Sequence, residues 1–235
     1  FTINGSQLKT NQVLNHEGTA SYTISITVRD SGGLTFQDTV TITITDVNEA
    51  PTDIVPSPID INIDENISSE STVFTVTGYD TDSSDMYTFT LSGSNASYFY
   101  FSSTESTSTT TQSTHAIIKT NTSFDHENQS TYDLTVTITD TLNNGAALGS
   151  PLSYPEVFTV TINDVNEAPT AFSLDSYEVE ENQTNTLVGE LSNVIDPDNN
   201  DSHTMRLLNH TDKFRVDDGK YLVTESASSL NHEVT

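Results

Sequence analysis

Apolar and polar residues alternate along most of this chain. Several short segments place Val, Ile, Leu, Tyr or Phe at every second position, between clusters of Gly, Asn, Asp and Ser. These segments are residues 22–28, 40–45, 73–76, 87–91, 116–118, 132–138 and 158–163. A period of two is typical of half-buried β-strands, and no stretch has a convincing 3.6-residue helical period. The pattern predicts an all-β chain of short antiparallel strands.

One segment interrupts the alternation. In residues 102–114, 11 of 13 residues are Ser or Thr. Such a run cannot supply a packed core, and it predicts a long exposed hairpin or a flexible loop. A glycosylated or partner-binding loop is the alternative interpretation.

The chain is also an internal repeat. The heptapeptide Asp-Val-Asn-Glu-Ala-Pro-Thr occurs at 46–52 and again at 164–170, which is 118 residues later, and each copy follows an alternating segment. Pro51 and Pro169 remove a backbone donor and keep the preceding residue extended, so each ends its strand without allowing a helix. Three further signatures recur in the same order. They are Asp64-Glu-Asn66 with Glu180-Glu-Asn182, Asp80-Thr-Asp82 with Asp196-Pro-Asp198, and Leu14-Asn-His-Glu17 with Phe124-Asp-His-Glu127 and Leu230-Asn-His-Glu233.

The repeat predicts three modules. Residues 1–49 form the C-terminal part of one repeat, 50–167 a complete repeat, and 168–235 the N-terminal part of a third. Regularly spaced short strands favour a Greek-key β-sandwich of about seven strands per module. Because neither partial repeat is expected to bury a full core, we interpret the sequence as a piece of a longer protein.

Composition narrows the possible partners. The chain has 34 acidic and 7 basic residues, a formal net charge of −27 and no Cys. This charge disfavours nucleic acid and anionic membranes and favours cations. No apolar run is long enough for a transmembrane helix, so direct membrane insertion of this segment is not expected.

The acidic signatures fall where modules meet. Ca²⁺ takes about six to eight oxygen ligands, which several converging Asp, Glu and Asn side chains can provide. The first junction is predicted to use Glu17, Asp46, Asn48, Glu49, Asp80, Asp82 and Asp140. The second is predicted to use Glu65, Asp125, Glu127, Asp164, Asn166, Glu167, Asp196 and Asp198. The spacing of Asp125 and Glu127 places both on one side of an extended chain, with His126 expected on the other.

Together these motifs resemble those of cadherin repeats, and more closely the cadherin-like domains of large bacterial surface adhesins. The resemblance covers essentially the whole chain and implies an Ig-like Greek-key β-sandwich with Ca²⁺ between successive domains. It assigns the Glu motif to Glu65 and Glu181, and the Asp before the last strand to Asp30 and Asp140. It assigns the Asp-x-Asp loop to Asp80, Asp82, Asp196 and Asp198, and the Leu-Asp-Arg-Glu motif to Glu17, Asp125, Glu127 and Glu233. It assigns the linker to Asp46, Asn48, Glu49, Asp164, Asn166 and Glu167. The linker is one residue shorter than the animal form, and Asn15 and Asn231 stand where Asp125 keeps an Asp.

Other site chemistries fit less well. An EF-hand beginning at Asp196 fails because Asp201 stands at its sixth position instead of Gly, and Leu207 at its twelfth instead of Glu. Paired carboxylates could serve a glycosidase, but these lie at repeated, exposed junctions and not across an enclosed cleft, so no enzyme is expected. The aromatic run 98–101 could stack a sugar, although two of its four side chains should face the core.

The sequence therefore predicts a Ca²⁺-stiffened extender in an extracellular cell-surface adhesin. The alternative is a module that itself binds a ligand, through homophilic protein contacts or by recognising surface polysaccharide. A spacer predicts no adhesion by the isolated chain, whereas a binding module predicts self-association or retention on a glycan.

Overall fold

The computed structural model describes residues 1–82, 86–106, 113–141, 149–225 and 230. These residues form two compact units, Phe1–Asn163 and Asp164–Thr235, each of which is described by itself. Within the described ranges the structure is all β apart from one 3₁₀ turn, Ala96–Tyr98, and it has no helix that could span a membrane. The strands are β1 Thr2–Asn4, β2 Gln7–Lys9, β3 Ser21–Arg29, β4 Thr35–Thr43, β5 Asp53–Ser57, β6 Asn62–Asp64, β7 Thr72–Tyr79, β8 Met86–Ser92, β9 Phe99–Ser106, β10 Ser113–Thr120, β11 Thr131–Thr141, β12 Ser153–Asn163, β13 Ala171–Leu174, β14 Leu187–Ile195, β15 Phe214–Asp217 and β16 Tyr221–Thr224.

Strands β5 to β12 form a two-sheet sandwich. One sheet has the order β5-β7-β10-β9 and the other β6-β12-β11-β8, so consecutive strands cross repeatedly between the sheets. All pairings are antiparallel except β6 with β12, which is parallel. The predicted fold class, an Ig-like β-sandwich, is confirmed.

The core lies between these two sheets. Alternate residues of β11 and β12 point into it, and Leu134, Val136, Ile138 and Val160 are completely buried. Each fully buried aliphatic side chain contributes about 1.5–3 kcal/mol to the stability of the fold. The residues between them are mostly Thr and face outward, which is why the sequence alternates.

Two inward positions bring the sheets especially close. Gly78 of β7 faces Ile138 of β11, and a Cβ added at Gly78 would overlap Ile138 Cδ1. Glycine is therefore required here by the close approach of the two sheets.

The first 49 residues form two small ribbons. Strands β1 and β2 pair with each other, and β3 pairs with β4 over nine residue pairs. Much of the apolar surface of the longer ribbon is exposed, including Val28 at 64 % and Phe36 at 69 %. The second unit is a single four-stranded sheet of order β13-β14-β16-β15, and its described residues contain no second sheet.

The Ser/Thr-rich segment belongs largely to a hairpin. Residues up to Ser106 continue β9, and β10 begins at Ser113, pairing antiparallel with it. Residues 107–112 of the predicted hairpin lie outside the described residues. In the aromatic run, Phe99 is buried and Phe101 packs against the core, which confirms the expectation that two of the four side chains face inward.

Candidate metal centre

In the first unit, carboxylates from three separate segments meet. Glu17 lies in the turn before β3, Glu49 in the linker after β4, and Asp82 in the loop after β7. One carboxylate oxygen from each of the three lies within 4.8 Å of the others. The structure thus brings together residues that are up to 65 positions apart in the chain, from 17 to 82.

Backbone donors hold this loop in place. The Glu49 N–H donates to Asp82 Oδ2 at 2.8 Å, and the Asp82 N–H donates to Asp80 Oδ1 at 3.1 Å. These bonds fix one oxygen of each aspartate.

The second unit repeats that arrangement. The Glu167 N–H donates to Asp198 Oδ2 at 2.6 Å, and the Asp198 N–H donates to Asp196 Oδ1 at 3.1 Å. Asp164 and Asn166 lie in the same stretch before β13, where the Asn166 side-chain amide donates to the Glu167 carbonyl at 3.0 Å. The two copies of the sequence motif therefore fold into the same hydrogen-bonded loop.

Asp140, which was predicted as a ligand of the first junction, supports Asn48 in the structure. It is completely buried, and its oxygens accept from the Asn48 side-chain amide at 3.0 Å and from the Leu152 N–H at 2.9 Å. The Asn48 amide also donates to the Ser150 carbonyl at 3.2 Å. Both contacts fix the orientation of Asn48. Sequence reasoning missed Ser150 and Leu152, because their contribution is made by backbone groups that leave no signature in the residue type.

Several oxygens of this cluster are shielded from solvent without accepting a hydrogen bond from any described residue. They are Asn48 Oδ1, Asp80 Oδ2 and Asp82 Oδ1. A buried oxygen that accepts no hydrogen bond costs roughly 1–3 kcal/mol, and more when it is charged. The cluster is therefore under electrostatic and solvation strain that a cation would relieve.

Burial and mutual repulsion also shift the pKa values of these carboxylates. Burial, together with repulsion from Asp82 and Asp140, raises the pKa of Asp80 to about 6. Burial also raises the pKa of Asp46 and of Glu49, and nearby carboxylates add to the effect in both cases. Burial also acts to raise the pKa of Glu17, but hydrogen bonding with its own backbone N–H and with the side chains of His16 and Asp46 outweighs it. The pKa of Glu17 is therefore lowered.

A second acidic group lies within the first unit. Oxygens of Glu65, Asp125 and Glu127 lie within 4.8 Å of one another. The His126 N–H donates to Glu65 Oε2 at 2.7 Å, and the Asn128 N–H donates to Asp125 Oδ1 at 2.8 Å. Glu65 is only 3 % exposed, so its carboxylate is held deep beside the turn that carries the other two.

The expected orientation of His126 was wrong. Its Nδ1 lies 3.2 Å from Glu127 Oε1 instead of pointing away from the carboxylates. His16 repeats the contact with Glu17 at 3.2 Å and also lies 3.5 Å from Asp46 Oδ1. The residues form a tight turn, not the extended strand that the alternation argument assumed, so neighbouring side chains come together.

The donor set suits a hard divalent cation. All candidate ligands are oxygens of Asp, Glu and Asn, which Ca²⁺ prefers, and no Cys is present to favour a softer metal. Such an ion would coordinate the buried oxygens that lack a hydrogen-bond partner, and it would neutralise the carboxylates that repel one another. The residues of the first unit therefore fit Ca²⁺.

Comparison with known proteins supports the fold. No family model matches the chain. Among curated proteins, the mouse and human "Cadherin EGF LAG seven-pass G-type receptor 2" are each 28 % identical over 189 residues, covering 79 % of this chain. This chain spans only 6 % of the length of either relative.

Solved structures of cadherin domains resemble this chain in fold. Protocadherin gammaB7 domains EC3–6 match with a TM-score of 0.66 at 24 % identity, over 95 % of this chain and 53 % of that one. Human CDH23 domains EC21–23 match with a TM-score of 0.58 at 20 % identity, over 94 % of this chain and 68 % of that one. The resemblance first read from the motifs is confirmed at the level of fold: the chain is built from cadherin-like β-sandwich modules.

Proposed function

We propose that this chain binds Ca²⁺ where its modules join and acts as an ion-stiffened extender in an extracellular cell-adhesion protein. The observation that carries the proposal is the convergence of Glu17, Glu49 and Asp82 beside buried, unpartnered oxygens of Asn48 and Asp80. The role is one of binding and mechanics, not of catalysis.

The proposed ligands of the first junction are Glu17, Asp46, Asn48, Glu49, Asp80 and Asp82, with Asp140 orienting Asn48. By the sequence repeat we extend the proposal to Glu65, Asp125, Glu127, Asp164, Asn166, Glu167, Asp196 and Asp198. Extracellular sites of this kind bind Ca²⁺ with dissociation constants of about 10⁻⁴–10⁻³ M.

The mechanism is linkage between binding and order. When bound, Ca²⁺ supplies positive charge that neutralises the carboxylates and links segments from different modules. Without that charge, each pair of carboxylates at about 4 Å repels by roughly 1 kcal/mol in water and up to about 4 kcal/mol near a protein surface. Glu17 and Asp46 lie on one side of Pro51, and Asp80 and Asp82 on the other. Their mutual repulsion therefore favours separation of the two segments, and neutralisation favours a fixed junction.

Calorimetric titration of the calcium-free chain with Ca²⁺ tests the proposal. We expect Ca²⁺ to bind with submillimolar to millimolar dissociation constants. In Asp82→Asn we expect at least a tenfold loss of affinity at one class of site, because Asn keeps the side-chain shape of Asp but removes its negative charge. Asp38→Asn is the matched control, since Asp38 is exposed on β4 and, among the described residues, its Oδ1 accepts only from the Thr39 N–H. Equal affinities for the parent chain and Asp82→Asn would refute the assignment.

The proposed stiffening of the junction by Ca²⁺ is tested by a separate measurement. Small-angle scattering in chelator and in Ca²⁺ should show a broad distribution of dimensions that narrows when the ion is added. Binding without any change in the scattering profile would leave a Ca²⁺ site but contradict the extender role.

Direct self-recognition is the second candidate function. The solved protocadherin gammaB7 structure is described as a cis-dimer, a statement about that protein. Adhesion of beads coated with this chain in Ca²⁺ would favour this candidate over a passive extender.

A further inference from the structure

Two histidines lie against the acidic groups of the first unit. His16 Nδ1 lies 3.2 Å from Glu17 Oε1 and 3.5 Å from Asp46 Oδ1, and one ligand atom from each of these three residues lies within 4.8 Å of the others. His126 Nδ1 lies at the same 3.2 Å from Glu127 Oε1. Because the contact between His and Glu recurs in the complete module, it is a property of the repeat.

An imidazole nitrogen changes which cations this part of the cluster can hold. Ca²⁺ prefers oxygen ligands, whereas neutral imidazole suits Zn²⁺ and similar transition-metal ions. Glu17 belongs to two groups of different chemistry. With Glu49 and Asp82 it forms an all-oxygen group, and with His16 and Asp46 it forms a group that contains nitrogen.

The distances in the nitrogen-containing group match a small tetrahedral ion. Zn²⁺ binds imidazole nitrogen at about 2.0–2.1 Å and carboxylate oxygen at about 2.0–2.2 Å, so two of its ligand atoms are about 3.3–3.6 Å apart. The separations of His16 Nδ1 from Glu17 Oε1 and Asp46 Oδ1, 3.2 and 3.5 Å, lie close to that range. Three protein ligands and one water molecule would complete the coordination of such an ion.

Asp46 supplies an independent observation. Its side chain is 13 % exposed, and its Oδ1 is shielded from solvent and accepts no hydrogen bond from any described residue. The 3.5 Å between this oxygen and His16 Nδ1 is longer than an ordinary N–H···O hydrogen bond, so the histidine does not satisfy it. Since an unsatisfied buried oxygen is costly, an ion held between His16, Glu17 and Asp46 would stabilise the group.

We propose that His16, Glu17 and Asp46 form a site for Zn²⁺, and that Zn²⁺ bound there displaces Ca²⁺ from the first junction. Glu17 and Asp46 are also proposed Ca²⁺ ligands, so the two ions compete for the same carboxylates. Zn²⁺ gains a nitrogen ligand that Ca²⁺ does not use. The displacement rests on the proposed Ca²⁺ function, whereas the Zn²⁺ site itself does not.

This exchange of ions releases the junction. His16, Glu17 and Asp46 all precede Pro51, so every protein ligand of Zn²⁺ comes from one side of the linker. The all-oxygen group instead joins Glu17 to Asp82 on the other side. Zn²⁺ therefore takes carboxylates away from the junction without bridging it, and it loosens the junction that Ca²⁺ stiffens.

Calorimetric titration of the calcium-free chain with ZnCl₂ tests the site. His16→Asn removes the imidazole but keeps an amide that can donate to Glu17, so a purely hydrogen-bonding role of His16 survives the change. We expect this variant to lose about tenfold or more in Zn²⁺ affinity at one site, with its Ca²⁺ affinity unchanged. The matched control is His115→Asn, because the His115 ring hydrogen-bonds to the Thr77 hydroxyl at 2.7 Å and not to a carboxylate. It should bind Zn²⁺ like the parent chain.

Co²⁺ reports the ligands directly. Tetrahedral Co²⁺ absorbs visible light much more strongly than the octahedral hydrated ion, so the parent chain and His115→Asn should develop this absorption at the site. His16→Asn should lose the part of the absorption that comes from this site. Equal spectra and equal Zn²⁺ affinities for the parent chain and His16→Asn would place the ion on other residues and overturn the proposal.

Competition tests the displacement. In saturating Zn²⁺, the apparent Ca²⁺ dissociation constant of the parent chain should rise at one class of site, and that of His16→Asn should rise much less. Small-angle scattering of the Ca²⁺-bound chain should broaden when ZnCl₂ is added. Zn²⁺ that binds at His16 but leaves the Ca²⁺ affinity unchanged would refute the displacement.

Asp82→Asn separates this proposal from the proposed Ca²⁺ function. Asp82 belongs to the all-oxygen group, so this variant should lose Ca²⁺ affinity and keep most of its Zn²⁺ affinity, the reverse of His16→Asn. A parent chain that binds Zn²⁺ through His16 but does not bind Ca²⁺ would refute the proposed function and leave the Zn²⁺ site. A parent chain that binds Ca²⁺ but not Zn²⁺ would refute only the Zn²⁺ site.

Discussion

Asp80 is the carboxylate in which burial and charge repulsion meet most clearly. It is 5 % exposed, one of its oxygens accepts from the Asp82 N–H, and the other accepts no hydrogen bond from a described residue. Its pKa is raised from 3.8 to about 6 in the folded chain. The folded state therefore binds this proton more tightly than the unfolded state does.

This gives a prediction for pH. In calcium-free solution, the contribution of protonated Asp80 to stability is present below about pH 4 and is lost as the pH rises to about 6. We expect the urea midpoint of the first unit to fall less steeply over this range in Asp80→Asn than in the parent chain, because the variant has no proton to lose. Identical slopes in the two proteins would show that Asp80 does not control this titration.

The single residues of the site were predictable to different degrees. Glu17, Glu49 and Asp82 could be assigned because their motifs recur in a fixed order, and the structure places them together. The turn that directs His126 toward Glu127 could not be inferred from alternation, since that pattern assumes an extended backbone. The support of Asn48 by a backbone carbonyl has no sequence signature at all.

At the scale of elements, the approach of β7 to β11 makes a second prediction. Gly78→Ala places a methyl group against Ile138, which is 0 % exposed. We expect a loss of about 1–3 kcal/mol in the free energy of unfolding, because overpacking a dense core forces neighbours to move. Chemical denaturation measures it.

Gly18→Ala is the matched control for that change. A Cβ at Gly18 meets nothing closer than 3.7 Å, so this substitution should change stability little. Equal effects of the two substitutions would contradict the packing argument and indicate a general effect of losing glycine.

The strands themselves were largely readable from the sequence. Alternation located β11 and β12 because one face of each packs on the core and the other meets water. Alternation did not show that β9 continues to Ser106 or that β10 begins at Ser113. In a run of Ser and Thr, the residues on the two faces of a strand do not differ in polarity. The lengths of those two strands come from hydrogen bonding between them, which composition does not encode.

For the molecule as a whole, net charge and ion binding make separable contributions. A charge of −27 should make any salt somewhat stabilising through screening. Specific binding adds to this: a hundredfold excess of ion over the dissociation constant stabilises the folded state by about 2.7 kcal/mol per site. We therefore expect CaCl₂ at about 10–100 mM, which is a hundredfold excess over dissociation constants of about 10⁻⁴–10⁻³ M, to raise the midpoint of thermal unfolding well beyond NaCl of equal ionic strength.

Calorimetric melting in chelator, NaCl, MgCl₂ and CaCl₂ measures this difference. A response to CaCl₂ no greater than that to NaCl would mean that the carboxylates are only screened. A response to MgCl₂ as large as that to CaCl₂ would contradict selectivity for the larger and more flexibly coordinated ion.

The β9–β10 hairpin has a shorter counterpart in β15–β16, with eight-residue strands in the first and four-residue strands in the second. Both modules nevertheless keep the same hydrogen bonds between the linker and the Asp-x-Asp loop. Insertions in this hairpin are thus tolerated without disturbing that loop. The hairpin is where such repeats can diversify, and where an epitope or fluorophore could be grafted at little structural cost.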